Sequence, residues 1–338
     1  MKVLYIGGTG TISSSCVAES VAQGQDVYVL NRGKSSKRPL PEGVTPITGD
    51  VQDAGSLKAA FEDTAFDSVV NFLSFGAEDA AAMVGLLEGR VGQYVHISSA
   101  SIYHKPVRQW PVTESTNRRN PYLAYAQDKI AAEDVLHRAY EERAFPVTIV
   151  RPSHTYDDAN PPLPGDWTAW DRIARGDELV VPGDGTNLWT LTHARDLAVG
   201  LAGLIGNWQA LGEDFHITSD ESLTWDEIYG IIARTAGVEP RLVHLPSEFL
   251  PKVAPDWFWS TLILGDLAHT AVFDNSKIKR FVPAFNPTTT WSEGARRLHA
   301  WREANPGQTG PDAATDEVLG RLVRAHHAAA AAVTSLAP

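Results

Sequence analysis

Tyr125 and Lys129 stand four residues apart within Ala124 to Arg143, a segment whose pattern predicts a helix. At that spacing both side chains share one helix face. An ammonium beside a phenol favours the phenolate, bringing a poor base towards working range near neutral pH. The same spacing occurs on any solvated amphipathic helix, so the pair acquires meaning only from the elements that position it.

Lys2 to Ile6 is a short apolar run of strand formers, followed at once by Gly7-Gly8-Thr9-Gly10-Thr11-Ile12-Ser13 and a helical stretch to Ala22. A strand, a glycine turn and a helix form a dinucleotide-binding context. Gly7 allows the tight turn, and Gly10 lets backbone N–H groups approach a pyrophosphate at the helix N-terminus. The third small position, where helix packs on strand, is Ser13. A second run, Val95 to Ser98, ends in the hydroxyls of Ser98, Ser99 and Ser101, just before Ile102-Tyr103. A third, Val147 to Val150, ends at Arg151-Pro152. Gly183-Asp184-Gly185 and His193-Ala194-Arg195-Asp196-Leu197 lie downstream.

In this order, with Gly49-Asp50-Val51, Glu114, Phe215-His216-Ile217 and Asp274-Asn275-Ser276-Lys277, the chain resembles the extended short-chain dehydrogenase/reductases, the NAD-dependent epimerase/dehydratase family, from Met1 to about Pro306. The resemblance implies an NAD(P)-dependent enzyme in which Tyr125 is the acid/base, Lys129 binds the nicotinamide ribose and lowers the tyrosine pKa, and Ser99 holds the reacting oxygen. It also implies cofactor contacts from Gly7, Thr9, Gly10, Thr11, Ile12, Asn31, Arg32, Asp50, Val51, Phe72, Leu73, Ser98, Tyr125, Lys129, Pro152 and His154. Asn71 would approach the ribose or nicotinamide. Substrate contacts fall to Ser74, Ser99, Ala100, Ser101, His154, Trp189 and Asp266. Helices around Ala77–Leu87 and Ala124–Arg143 would pair across a two-fold axis in a homodimer.

The second strand ends in Asn31-Arg32-Gly33-Lys34, where NAD-using members usually place an acid. Losing that carboxylate removes repulsion from a 2′-phosphate, and Arg32 can pair with one. The balance favours NADP over NAD.

The departures from the family pattern bear on the substrate. The 4,6-dehydratases carry Asp-Glu after the Ser99-equivalent hydroxyl; here Ala100-Ser101 stand there, so a proton donor for eliminating water is missing. Sugar-nucleotide epimerases hold the diphosphate with an asparagine and two arginines. The corresponding residues are His154, Trp189 and Ile263, which forgo charge-assisted bonds worth about 1.5–3 kcal/mol each. Trp167, Trp170, Trp257 and Trp259 join Trp189 in the expected lid, and tryptophan faces stack on sugar rings. His154, His193 and Asp266 could bond hydroxyls, while Lys252 or Arg280 could serve as substitute cations for a diphosphate. The expected substrate is a free sugar, sugar lactone or similar polyol, oxidised by a dehydrogenase or turned by an epimerase. The alternatives are a UDP- or dTDP-sugar epimerase and a catalytically silent nucleotide- or RNA-binding protein, since the Asn-Arg-Gly turn is similar to that of chloroplast stem-loop RNA-binding relatives.

The wider sequence sets bounds on this reading. A net charge of −12 over 338 residues argues against a polyanionic partner. The single cysteine, Cys16, excludes an internal disulfide and reads as a small buried helix residue. No His/Cys cluster has metal-site spacing, and no apolar run is long enough to span a membrane; a cytoplasmic enzyme is expected. Strand-like runs at Asp26–Leu30, Ser68–Leu73, Gln93–Ser98 and Pro146–Val150 alternate with helical stretches. They predict a Rossmann-type, doubly wound parallel α/β sheet with a smaller C-terminal substrate-binding lid. Residues 1–152, with return segments near 190–220, would form the dinucleotide domain, 153–306 mainly the lid, and 307–338 a helical tail.

Overall fold

The computed structural model describes residues 1–34, 37–61, 64–308 and 312–335. Of the expected tail, residues 309–311 and 336–338 lie outside the described ones. The chain alternates β1 (Lys2–Ile6), α1 (Thr11–Ala22), β2 (Asp26–Asn31), β3 (Thr45–Thr48), α2 (Ala54–Ala59), β4 (Ser68–Asn71), α3 (Ala77–Leu87), β5 (Gln93–Ile97), α4 (Ala124–Arg143) and β6 (Val147–Pro152). It then crosses the lid strands β7 (His154–Tyr156), β8 (Glu178–Val180), β9 (Leu188–Trp189) and β10 (Leu191–His193) before β11 (Asp214–Ile217).

Seven parallel strands form one sheet in the order β11-β6-β5-β4-β1-β2-β3. Helices cover both faces, which is why every residue of β4, β5 and β6 is buried. Strand order reverses between β1 and β4, and the crevice beyond their carboxyl ends is where such sheets bind ligands. Two cores flank the sheet: one centres on Val3, Tyr5, Val17, Val29 and Leu201, the other on Leu4, Val69, Val84, Leu136 and Ile149. Cys16 is fully buried in the first.

A third core fills the lid, with Trp170, Trp225 and Trp291 among its members. The C-terminal helix Ala313–Thr334 contributes Leu319, Leu322 and Val323 to it. The lid is tied back to the sheet by Arg38, which pairs with Asp157 and reaches Thr11 Oγ1 at 3.4 Å.

β6 is longer than its sequence suggests and carries Arg151 inside the sheet. That guanidinium is fully buried because Glu133 of α4 meets it with two bonds, at 2.9 and 2.7 Å, and Asp214 of β11 adds another. β4 stops at Asn71, short of the expected Leu73. The Asn71 side chain turns back on its own chain there, accepting from Leu73 N–H at 2.8 Å.

Candidate active site

Two adjoining cavities open above the carboxyl ends of the strands, and Thr155 lines both. The larger, about 750 Å³, runs along the glycine turn and the end of β2. Gly7, Thr9, Gly10, Thr11, Ile12, Asn31, Arg32, Asp50, Val51, Phe72 and Leu73 all line it. Gly7 adopts φ +81°, which a side chain would strain. Gly8 is equally constrained: a Cβ there would sit 2.6 Å from Val29 Cγ1, so Gly8 is the close-packing position between turn and sheet. Ser13, expected to fill that role, is buried, and its Oγ accepts from Gly10 N–H at 2.9 Å.

This cradle fits a dinucleotide. The N-terminus of α1 faces the cleft with no side chain on Gly10 to block it, and the Arg32-Gly33-Lys34 turn is exposed at the far end. Asn31 Oδ1 shapes that turn by accepting from Gly33 N–H at 2.8 Å.

The smaller cavity, about 190 Å³, is lined by Ser99, Ala100, Ser101, Lys105, Tyr125, Pro152, His154, Trp189 and Asp266, among others. Ser99 and Ser101 share a hydrogen bond of 2.9 Å on the short turn after β5. Asn120 joins the pieces. Its Nδ2 donates to Ser101 O and Gly265 O, both at 2.9 Å, while its Oδ1 accepts from the backbone N–H groups of Tyr122 and Leu123 at the start of α4. One buried amide therefore sets the serine turn, the tyrosine helix and the Asp266 segment relative to one another. Sequence reading passed over Asn120; its place just before a proline and the helix start was the available signal.

Several expectations need correction. Ser74 and Ser98 are buried with unpartnered hydroxyls and line neither cavity; Ser74 instead offers its carbonyl to Lys129. Asn71 does not approach the cofactor cleft, because Tyr94 and its own backbone occupy its amide. Tyr125, Pro152 and His154, expected at the cofactor, line the smaller cavity, which adjoins the dinucleotide cleft at Thr155. His193 is committed to Asp158 at 3.0 Å and to the cap of the helix Ala194–Leu204, so it has no free face for a hydroxyl. Ile263 lies in the lid core, and Leu262 takes the place at the cavity wall. Of the five tryptophans named from the sequence, Trp189 alone lines the cavity; Trp167 and Trp170 belong to the lid core. Neither Lys252 nor Arg280 lines it, whereas Lys105 does.

The electrostatics of the pair are governed by burial. Lys129 is 2% exposed, and its Nζ donates to Ser74 O at 2.7 Å and Ile97 O at 2.8 Å. Burial pulls its pKa down to about 8, against the attraction of Glu133 and Asp79. The ammonium stands 5.8 Å from the Tyr125 ring centroid. Although the Tyr125 ring is 39% exposed, enclosure of its hydroxyl end pushes the phenol above its ordinary value; the Ser99 hydrogen bond opposes this, and the charge on Asp266 adds to it. Without a ligand the phenol is thus a proton donor at neutral pH, not a phenolate.

His154 is shut in by Trp189, Trp225 and Trp259. Trp189 Nε1 donates to its Nδ1 at 3.1 Å, so the neutral ring carries its proton on Nε2. Burial lowers its pKa to about 4, against the pull of Asp266. Between pH 6.5 and 4 the unfolded chain takes up a proton that the native ring refuses, so stability falls as pH drops through that window. The loss attributable to His154 is about 3 kcal/mol. His154→Gln, followed by urea unfolding at pH 7 and pH 4.5, should lose less stability on acidification than the wild type; equal losses would refute this.

The profile of the NAD dependent epimerase/dehydratase family matches residues 3–217, and the chain belongs to that family. A 2′-dehydrokanamycin reductase of Streptomyces kanamyceticus is 28% identical over 290 residues, covering 84% of this chain and 80% of that protein. The chloroplast stem-loop binding protein of 41 kDa b of Arabidopsis thaliana is 26% identical over 266 residues, 73% of this chain and 67% of that one. UDP-glucose 4-epimerase from Bifidobacterium longum, solved with NAD+ and UDP, superposes with a TM-score of 0.73 at 19% identity, covering 91% of this chain and all of that one. The chain is therefore an NAD(P)-binding enzyme of the epimerase, dehydratase and reductase class. No helix among the described residues is long and apolar enough to cross a membrane.

Proposed function

We propose that the protein is an NADP-dependent oxidoreductase that interconverts a secondary alcohol and a ketone on a compact, uncharged polyol, such as a free sugar or sugar lactone. One observation carries this reading: the cavity beside Ser99 and Tyr125 holds about 190 Å³ and, among the described residues, has no arginine in its lining. Sites for larger ligands run to roughly 300–1,000 Å³, and a diphosphate calls for several charge-assisted donors. A single sugar-sized ring suits the space; a nucleoside diphosphate sugar does not.

Bound in the neighbouring cleft, a nicotinamide would supply or accept the hydride. Ser99 would hold the substrate oxygen by hydrogen bond, and Tyr125 would pass its phenolic proton to that oxygen during reduction, or take it back during oxidation. A protonated Tyr125 can serve as the acid in reduction, and the Streptomyces relative is named a reductase. Lys129 would leave its carbonyl partners for the ribose. Arg32 and Lys34, exposed at the end of β2, would receive the 2′-phosphate.

Cofactor choice has a direct test. Arg32→Ala should raise the Kd for NADP at least tenfold and leave that for NAD within twofold, because a charge-assisted bond is lost in one case only. Equal losses would reduce Arg32 to a stacking role, and a wild-type preference for NAD would overturn the choice. For the reaction itself, free sugars, lactones and UDP- or dTDP-sugars should be compared while absorbance is followed at the NAD(P)H band. Net cofactor turnover with a free polyol supports the dehydrogenase; product without net turnover makes it an epimerase. Micromolar binding of a sugar nucleotide with no response to free sugars would replace this reading with the sugar-nucleotide epimerase.

A further inference from the structure

We propose that Lys105 and Asp266 form a two-pronged clamp for neighbouring hydroxyls, selecting an uncharged vicinal diol and excluding both ammonium and carboxylate groups at that position. This deepens the polyol reading and rests on it.

Lys105 Nζ and Asp266 Oδ1 are 2.7 Å apart, with side chains 3% and 13% exposed, and both residues line the smaller cavity. Nζ also stands 6.0 Å from the centroid of Trp189, another lining residue. An ammonium has three donors and a carboxylate two acceptor oxygens. Apart from this ion pair, the Lys105 ammonium and the Asp266 carboxylate have no hydrogen-bond or ion-pair partner among the described residues. Each therefore keeps unused capacity at the cavity wall.

The backbone holds both prongs in place. Lys105 N–H donates to Arg119 O at 2.9 Å. Asp266 lies on a π-helical turn (Ile263–Leu267) whose Gly265 carbonyl is held by Asn120. Short π segments of this kind are frequent at functional sites. Lys105 and Asp266 line the same cavity as Tyr125 and His154, which puts the clamp beside the reacting group.

The pair's neutrality makes it selective. A hydroxyl can accept from Nζ while its neighbour donates to Oδ2, and the ion pair survives intact. A substrate ammonium brought to Asp266 would face Lys105 at close range. A carboxylate brought to Lys105 would face Asp266. Either would have to break a buried ion pair, leaving a charge without its partner. His154, neutral and protonated on Nε2, adds a donor without adding charge.

The test is calorimetry on the NADP-loaded protein with hexoses, hexonolactones and cyclitols, alongside amino sugars and uronates as charged counterparts. Wild type should bind neutral polyols at least tenfold more tightly than either charged class. Lys105→Met should gain affinity for amino sugars and lose it for neutral ones; Asp266→Asn should do the reverse, gaining uronates. Both positions lie outside the dinucleotide cleft, so an unchanged NADP Kd certifies each variant's fold. If a single exchange does not fold, the doubly neutral Lys105→Met/Asp266→Leu variant should bind all three classes alike. Wild type that binds a charged class as tightly as the neutral one, or variants that retain wild-type discrimination, would overturn the clamp alone. Failure of every free sugar to bind would remove the polyol reading and the clamp with it.

Discussion

Replacing Tyr125 by phenylalanine should lower kcat by about two to four powers of ten, the usual loss when general acid/base transfer is removed. The fold and cofactor affinity should survive. Tyr125 borders the smaller cavity and is partly exposed, and it does not line the dinucleotide cleft. Its neighbours are already organised without it, since Ser99 bonds Ser101 and Lys129 is held by two carbonyls. The measurement is steady-state turnover on whichever polyol the screen identifies, together with NADP binding by fluorescence. Activity within tenfold of wild type would remove Tyr125 from the chemistry. A parallel loss of cofactor binding would mean that the phenol supports the site's structure instead.

Replacing Arg151 by methionine should destabilise the protein by about 3–5 kcal/mol, the cost of stripping one partner from a buried ion pair. Glu133 is fully buried on α4, one turn beyond Lys129, and Arg151 supplies two of its bonds. The guanidinium also reaches the Glu114 carbonyl at 3.2 Å and the Tyr103 hydroxyl at 3.3 Å, so it ties α4, β6 and the segment after β5 together. Arg118, 3.0 Å from Glu133 and 27% exposed, can offset only part of the loss. Urea unfolding should show the drop as a lower midpoint. Adding Glu133→Leu should recover some of it, because apolar replacement of both partners removes the unpaired charge. An unchanged midpoint in the single variant would show that the network contributes little.

The same two residues show how far a linear reading reaches. Spacing alone put Tyr125 and Lys129 on one helix face, and α4 spans Ala124–Arg143 as its pattern implies. Spacing could not say that Lys129 spends its ammonium on Ser74 and Ile97, because those carbonyls arrive from two other strand ends. Nor could spacing say that burial and Asp266, both tertiary, raise the phenol's pKa without a ligand. Arg151 was legible as a motif beside Pro152, but its partners lie 18 and 63 residues distant along the chain.

The sequence by itself determined the local elements and the dinucleotide cradle. A buried parallel strand must be an apolar run, a turn at φ +81° calls for glycine, and an N-terminal helix end faces the cleft wherever that turn is placed. Those requirements act on neighbouring residues, so they are written in order along the chain. Of the smaller cavity the sequence named six wall residues, Ser99, Ala100, Ser101, His154, Trp189 and Asp266, and tertiary structure decided the rest. Lys105 reads as one more loop lysine, the pairing of Asp266 with it leaves no trace in the spacing, and Ile263 reads as a wall residue. Only the packing of the lid over the sheet brings Lys105 and Asp266 to 2.7 Å, turns Ile263 into the core and leaves Trp189 facing the cavity. Contacts between residues far apart in sequence leave no period and no spacing, and it is on such contacts that the substrate reading rests.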